Sequence, residues 1–156
     1  MSLSVGQPAP LFNSFESNKE PFSLETHRGE NVLLLFFPAA FTSTCTKELC
    51  SMRDDIATYN NLDCKIVGIS IDTIYALAKY KEEQNLNFPL VSDFNKEIGA
   101  LYDVQYPLFN NWMLGVTKRS AFLVDKQGIL QYVEVLEKGG DLPDFEKIKA
   151  ALQKLK

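Results

Sequence analysis

Apolar positions in this chain gather into short runs whose lengths and periods divide it into alternating strands and helices. The densest run, residues 32–37 (VLLLFF), contains no polar residue, as expected of a strand covered on both faces. Pro38 follows, and a residue with fixed φ and no N–H stops the strand there. A short loop of Ala, Phe, Thr and Ser then opens a helix near residues 42–44. Leu49, Met52, Ile56 and Tyr59 continue at helical spacing along one face, which predicts a helix over residues 42–60. Residues 65–71 (KIVGISI) are short, branched and apolar and read as a second buried strand. Strand, helix and strand in that order make a right-handed crossover joining a parallel pair.

On either side of this unit the pattern is less dense. The first 30 residues set turn formers (Gly6, Pro8, Pro10, Asn13, Asn18, Pro21, Gly29) around short apolar pieces and read as a hairpin and loop. Asp72 or Thr73 is placed to cap a helix over residues 73–84, with Ile74, Leu77, Ala78 and Tyr80 on its buried side. A strand at 88–92, a short helix at 95–102 and an aromatic-rich loop at 106–115 follow. Strands at 120–124 and 129–136 flank Lys126, Gln127 and Gly128, a three-residue turn with glycine where positive φ is needed. Gly139 and Gly140 precede an amphipathic helix over 144–155. The expected fold is α/β, a thioredoxin-like mixed sheet flanked by helices, with residues 1–156 in a single domain.

Composition narrows the classes of function. At 156 residues the chain is long enough to bury one substantial core without staples. It is 46% hydrophobic and 23% charged, with no apolar run near the roughly 20 residues that span a bilayer. The opening MSLSVGQPAP has neither the basic nor the apolar region of a signal peptide, so a cytoplasmic address and no membrane partner are expected. A net charge of −4 and scattered lysines give no basic surface for nucleic acid. Three cysteines, an odd number, argue against a disulfide framework and leave thiol chemistry or core packing as their uses. Cys45 falls in a first helical turn, where free N–H groups and the helix dipole favour an anion, and the thiolate is the nucleophilic form of cysteine.

Pro38, Thr42 and Cys45 form the pattern P-x-x-x-T-x-x-C after an apolar strand, and this resembles the peroxiredoxin active-site motif. The resemblance runs from VGQPAP at the front to the closing helix. Arg119, at the head of RSAFLVD, matches the family's later arginine-bearing segment, and Glu48 matches a glutamate three residues after the peroxidatic cysteine. The AFTSTC loop and the FPLVSDF block look like the alkyl hydroperoxide reductase E group. Cys50, five positions after Cys45, is similar to the second cysteine of the bacterioferritin comigratory protein (PrxQ) group, although Thr44 stands where that group has glycine. The resemblance implies a thiol peroxidase acting on hydrogen peroxide or organic hydroperoxides, with no metal, haem or flavin. It also implies a thioredoxin-like reductant and a dimer through loops around the active site.

The chemistry needs a thiolate in line with the O–O bond, donors for the charge that grows on the oxygens, and little water. Cys45 would attack, and the Thr42 hydroxyl with backbone N–H groups would hold the peroxide. Arg119 would keep the thiolate ionised and stabilise the departing oxyanion, with Pro38 walling the pocket. Glu48 is either a surface residue or an orienter of an arginine. Cys64 is expected to pack in the core, and His27 to lie in an exposed polar loop. Phe109, Trp112, Met113 and Leu114 crowd one loop and mark either a lid or an apolar contact patch.

Other cysteine chemistries fit less well. A thioredoxin-type reductase requires Cys-x-x-Cys, whereas four residues separate Cys45 from Cys50. A cysteine phosphatase requires an arginine at the position of Ser51. A zinc site lacks paired short spacings, and a papain-like hydrolase lacks a suitable histidine. A non-enzymatic binding module on the same scaffold remains open. On one helix, Cys45 and Cys50 would have Cα atoms about 8–9 Å apart on different faces. A disulfide spans no more than about 7 Å, so direct resolution by Cys50 requires the helix to unwind. The alternative is a one-cysteine enzyme, with Cys50 a packed helix residue and an external thiol resolving Cys45.

Overall fold

The structure, a computed structural model, describes residues 2–155. Its centre is β3 (Asn31–Phe36), all six of whose residues are buried. Six further strands join it in one sheet: β1 (Asn13–Glu16), β2 (Pro21–Ser23), β4 (Cys64–Ser70), β5 (Leu90–Ser92), β6 (Ser120–Val124) and β7 (Leu130–Val135). The spatial order is β2-β1-β5-β4-β3-β6-β7. The β3–β4 and β4–β5 pairs are parallel, and the remaining neighbours are antiparallel. A mixed sheet in one domain is the expected thioredoxin-like arrangement.

Strand alternation sorts β3 between two cores. Leu33 and Leu35 face α1 (Ser43–Asp54), α2 (Ile56–Asn61), α3 (Ile74–Gln84) and α5 (Phe145–Gln153), against Leu49, Met52, Tyr59, Leu77, Tyr80, Ile148 and Leu152. Val32, Leu34 and Phe36 face the other layer, where Phe12, Phe22 and Tyr102 pack beside α4 (Glu97–Leu101). An all-apolar run is therefore what a strand with helices on one side and the N-terminal segment with α4 on the other requires.

The helix expected over 42–60 is two helices. At Asp55 the backbone leaves helical geometry (φ −105°, ψ 15°). The Asp55 carboxylate accepts Thr58 Oγ1 at 2.7 Å and pairs with Lys149 Nζ at 2.6 Å, so a side chain that competes with the helix is tied to its neighbours instead. Thr73 rather than Asp72 caps α3, its hydroxyl accepting from Ala76 N–H at 3.2 Å. Gly128 has φ +85°, as its turn demands, and Asp125 Oδ1 accepts the N–H groups of Gln127 and Ile129. The aromatic loop contains a tight reversal with Phe109 bridged to Met113 and with both Asn110 and Asn111 at positive φ. His27 is half-buried rather than exposed, stacking on Phe22 at 4.9 Å and bonding Glu30 at 2.7 Å. No helix among the described residues is long and apolar enough to cross a membrane.

Candidate active site

The parallel strands β3 and β4 run in the same direction, and beyond the end of β3 Cys45, Glu48 and Arg119 are brought into contact. Pro38 is buried directly after β3. The loop then turns through Phe41, which has φ +65°, and delivers Cys45 to the first turn of α1. Cys45 is 1% exposed. Thr42 occupies the N-cap position but does not cap the helix: its hydroxyl turns back and donates to Ala39 C=O at 2.8 Å. Thr42 is exposed, and a hydroxyl that donates its hydrogen keeps lone pairs able to accept.

Arg119 reaches the same point from the residue before β6. Its side chain is 1% exposed, and Nη1 donates both to Cys45 Sγ at 3.3 Å and to Glu48 Oε1 at 2.7 Å. Nη2 donates to Gly139 C=O at 2.8 Å, so the loop after β7 closes over the guanidinium. Burial works against the Arg119 charge, but Glu48 and Cys45 beside it more than offset this, and its pKa is raised. Glu48 lies one helical turn after Cys45 and is fully buried, not a surface residue. Burial pushes its carboxyl from the usual 4.5 up to about 7 despite the opposing guanidinium, with Glu134 adding to the rise. Its second oxygen, Oε2, has no hydrogen-bond partner among the described residues.

Cys50 also lies on α1, half-buried, its thiol donating to Gln84 Oε1 at 3.5 Å. Both cysteines being in one regular helix keeps the Cα separation near the ~8–9 Å of helical geometry. All three cysteines are free. Helix α1 is held against α3 at three levels: Thr46 Oγ1 and Tyr80 OH at 2.9 Å, Cys50 and Gln84, and Arg53 Nη1 donating to Gln84 C=O at 2.6 Å. Cys64 begins β4, where burial pushes its thiol up to about 12, the behaviour of a packed core cysteine.

Two contributors to this site are absent from the motif. Asp72 accepts Ala40 N–H from the loop between β3 and α1, and Tyr80 holds the first turn of α1. Neither carries a local sequence signal, because both act across more than 30 residues. A surface cavity of about 660 Å³ lies elsewhere, at the start of β4 beside Cys64, Lys65 and Asn87. No cluster of residues suited to holding a metal ion occurs among the described residues.

Comparison with known proteins agrees with this geometry. Residues 5–133 match the AhpC/TSA family. Alkyl hydroperoxide reductase E of Mycobacterium tuberculosis is 36% identical over 138 residues, covering 88% of each chain. Peroxiredoxin Bcp of Bacillus subtilis is 34% identical over 133 residues, covering 83% of each. The crystal structure of peroxidoxin BcpB from Mycobacterium tuberculosis superposes with a TM-score of 0.87 at 28% identity over 99% of both chains. A buried cysteine at a helix start under an arginine, in a chain similar to these proteins over most of its length, leaves one assignment: the chain belongs to the AhpC/TSA family and is a peroxiredoxin, a thiol-dependent peroxidase.

Proposed function

We propose that Cys45 is the peroxidatic cysteine of this thiol peroxidase, with Thr42, Arg119 and Pro38 forming its peroxide site and Glu48 orienting Arg119. The observation that carries the reading is the buried bridge of Arg119 Nη1 between Cys45 Sγ and Glu48 Oε1. The Cys45 thiolate attacks the terminal oxygen of the hydroperoxide, forming an S–O bond as the O–O bond breaks. The electron pair leaves on the departing alkoxide or hydroxide, which takes a proton from water. Arg119 stabilises the negative charge as it moves from sulfur to oxygen, and Thr42 accepts the peroxide's O–H. Pro38, with no N–H, walls the pocket without competing for the peroxide.

The product is a Cys45 sulfenic acid. In the proposed cycle Cys50 attacks it, releasing water and forming a Cys45–Cys50 disulfide, which a thioredoxin-like dithiol reduces. Helical separation forbids that bond in the folded form, so α1 must open between the two cysteines. The half-buried setting of Cys50 and the Bcp likeness favour this route; the likeness to alkyl hydroperoxide reductase E favours the second reading, an external thiol acting directly on Cys45. A dithiol-driven cycle also fits a reducing compartment such as the cytoplasm. Turnover of hydrogen peroxide and of an organic hydroperoxide, coupled to a thioredoxin system, tests the proposal with wild type, Cys45→Ser and Cys50→Ser. Cys45→Ser is expected to be inactive and Cys50→Ser to become sulfenic acid without an intrachain bond. Absence of a Cys45–Cys50 bond in oxidised wild type selects the external-thiol reading.

A further inference from the structure

The loop between β3 and α1 is tied to the end of β4 through one peptide group. The Ala40 N–H donates to Asp72 Oδ2 at 2.8 Å. The carbonyl of that same peptide, Ala39 C=O, accepts the Thr42 hydroxyl at 2.8 Å. Asp72 is itself fixed: the same Oδ2 accepts from Ser70 Oγ at 2.6 Å, and its backbone C=O accepts from Ser92 Oγ at 2.5 Å. Ser70 and Ser92 are buried and lie opposite each other in the β4–β5 register. Between the anchored peptide and Thr42 stands Phe41 in a left-handed conformation that a bulky residue adopts only when its surroundings hold it there.

We propose that Asp72 is a positioning residue for the peroxidase reaction: by fixing the Ala39–Ala40 peptide, it commits the Thr42 hydroxyl hydrogen to Ala39 C=O and so presents a Thr42 lone pair to the peroxide's O–H. The inference rests on the reading of Thr42 as a peroxide ligand. Were that peptide to rotate, Thr42 would lose its acceptor, and its hydroxyl would be free to point its hydrogen at the substrate or to cap α1 instead. Displacements of this size at a reacting centre cost up to ~100-fold in rate.

The test compares two reactions of Cys45 in the full chain, oxidation by hydrogen peroxide in stopped flow and alkylation by iodoacetamide, which needs the thiolate but not Thr42. Asp72→Ala is expected to slow peroxide oxidation ~10–100-fold while changing alkylation less than about threefold. Asp72→Asn, whose amide oxygen still accepts from Ala40 N–H, is expected to restore most of the peroxide rate. Asp72→Ser, too short to reach Ala40 but still polar beside Ser70, carries the expectation of Asp72→Ala should that variant not fold. In a Thr42→Ala background the Asp72 substitution should add no further loss. A Thr42→Ala variant with wild-type rate overturns the underlying reading of Thr42. An impaired Thr42→Ala with an unimpaired Asp72→Ser, or losses that multiply in the double variant, overturns the role of Asp72 alone.

Discussion

Replacing Arg119 with Met removes the guanidinium while keeping an unbranched side chain in its buried channel. The lost bond to Cys45 Sγ is charge-assisted and 3.3 Å long. Coulomb attraction at that distance and an effective dielectric of ~20 sets a ceiling near 5 kcal/mol. The same Nη1 is shared with Glu48 Oε1, so the part felt by sulfur is smaller. Hydrogen bonds to charged groups contribute about 1.5–3 kcal/mol, which converts to a rate loss of about 10- to 150-fold. The variant also buries an unpaired Glu48, a loss of about 3–5 kcal/mol when a buried ion pair is broken with the charge retained. Because Glu48 is already pushed up to about 7, it takes a proton and the loss in stability falls toward the lower end of that range. The double variant Arg119→Met/Glu48→Gln leaves no buried charge and separates chemistry from folding. It should melt closer to wild type yet react with peroxide as slowly as the single variant. Stopped-flow oxidation by hydrogen peroxide under pseudo-first-order conditions, with circular dichroism melts alongside, provides both readouts. A wild-type rate constant in either variant refutes the argument that Arg119 stabilises the reacting charge.

Three further outcomes follow from the same geometry. Glu48 has a folded pKa of about 7 against an ordinary 4.5, so its contribution to stability is complete below the ordinary value and is lost as pH rises through about 7. Gln cannot titrate; Glu48→Gln should therefore gain on wild type by about 1–3 kcal/mol in urea unfolding between about pH 5 and 8, and a pH-independent difference contradicts this. Tyr80→Phe removes the hydroxyl bonded to Thr46 at 2.9 Å and should ease opening of α1, speeding disulfide formation after Cys45 oxidation about 2- to 10-fold. An unchanged rate of intrachain closure counts against that latch. Trp112 and Leu114 are 74% and 67% exposed in the aromatic loop, whose Phe109 lies beside Gly139, the residue whose C=O accepts from Arg119. A dimer through this loop is expected at micromolar concentration, weakened by Trp112→Asp; sedimentation finding only monomer in wild type removes the proposal.

Local signals in the sequence carry the parts of this molecule that local physics decides. The apolar run at β3 cannot be half-exposed, Pro38 cannot extend it, and Gly128 marks its turn, so the central strand, the last hairpin and the entry to α1 follow from residues alone. Arg119 is different. Nothing in RSAFLVD says that its first residue is buried against a thiol more than 70 positions earlier; only the resemblance to a family places it there. Glu48 is ambiguous by spacing, since the partner that meets it inside the fold, Arg119, comes more than 70 positions later. The helix break at Asp55 depends on Lys149, and the tie from Asp72 to Ala40 depends on the strand crossing that brings the ends of β3 and β4 together. The Asn110–Asn111 reversal does carry a local signal, two residues tolerant of positive φ in succession.

In the proposed cycle Cys45 alone meets the peroxide. Arg119 bonds Cys45, whereas the Cys64 thiol at the start of β4 is pushed up to about 12 by burial and Cys50 donates to Gln84. Mixing the fully reduced chain with less than one equivalent of hydrogen peroxide, quenching in acid within the first turnover, and mapping the peptides by mass locates the first oxidised sulfur. One oxygen is expected on Cys45 at the earliest times, followed by loss of that species into a bond with Cys50. An oxygen appearing first on Cys50 or Cys64, or no fast oxidation of any thiol, would contradict it.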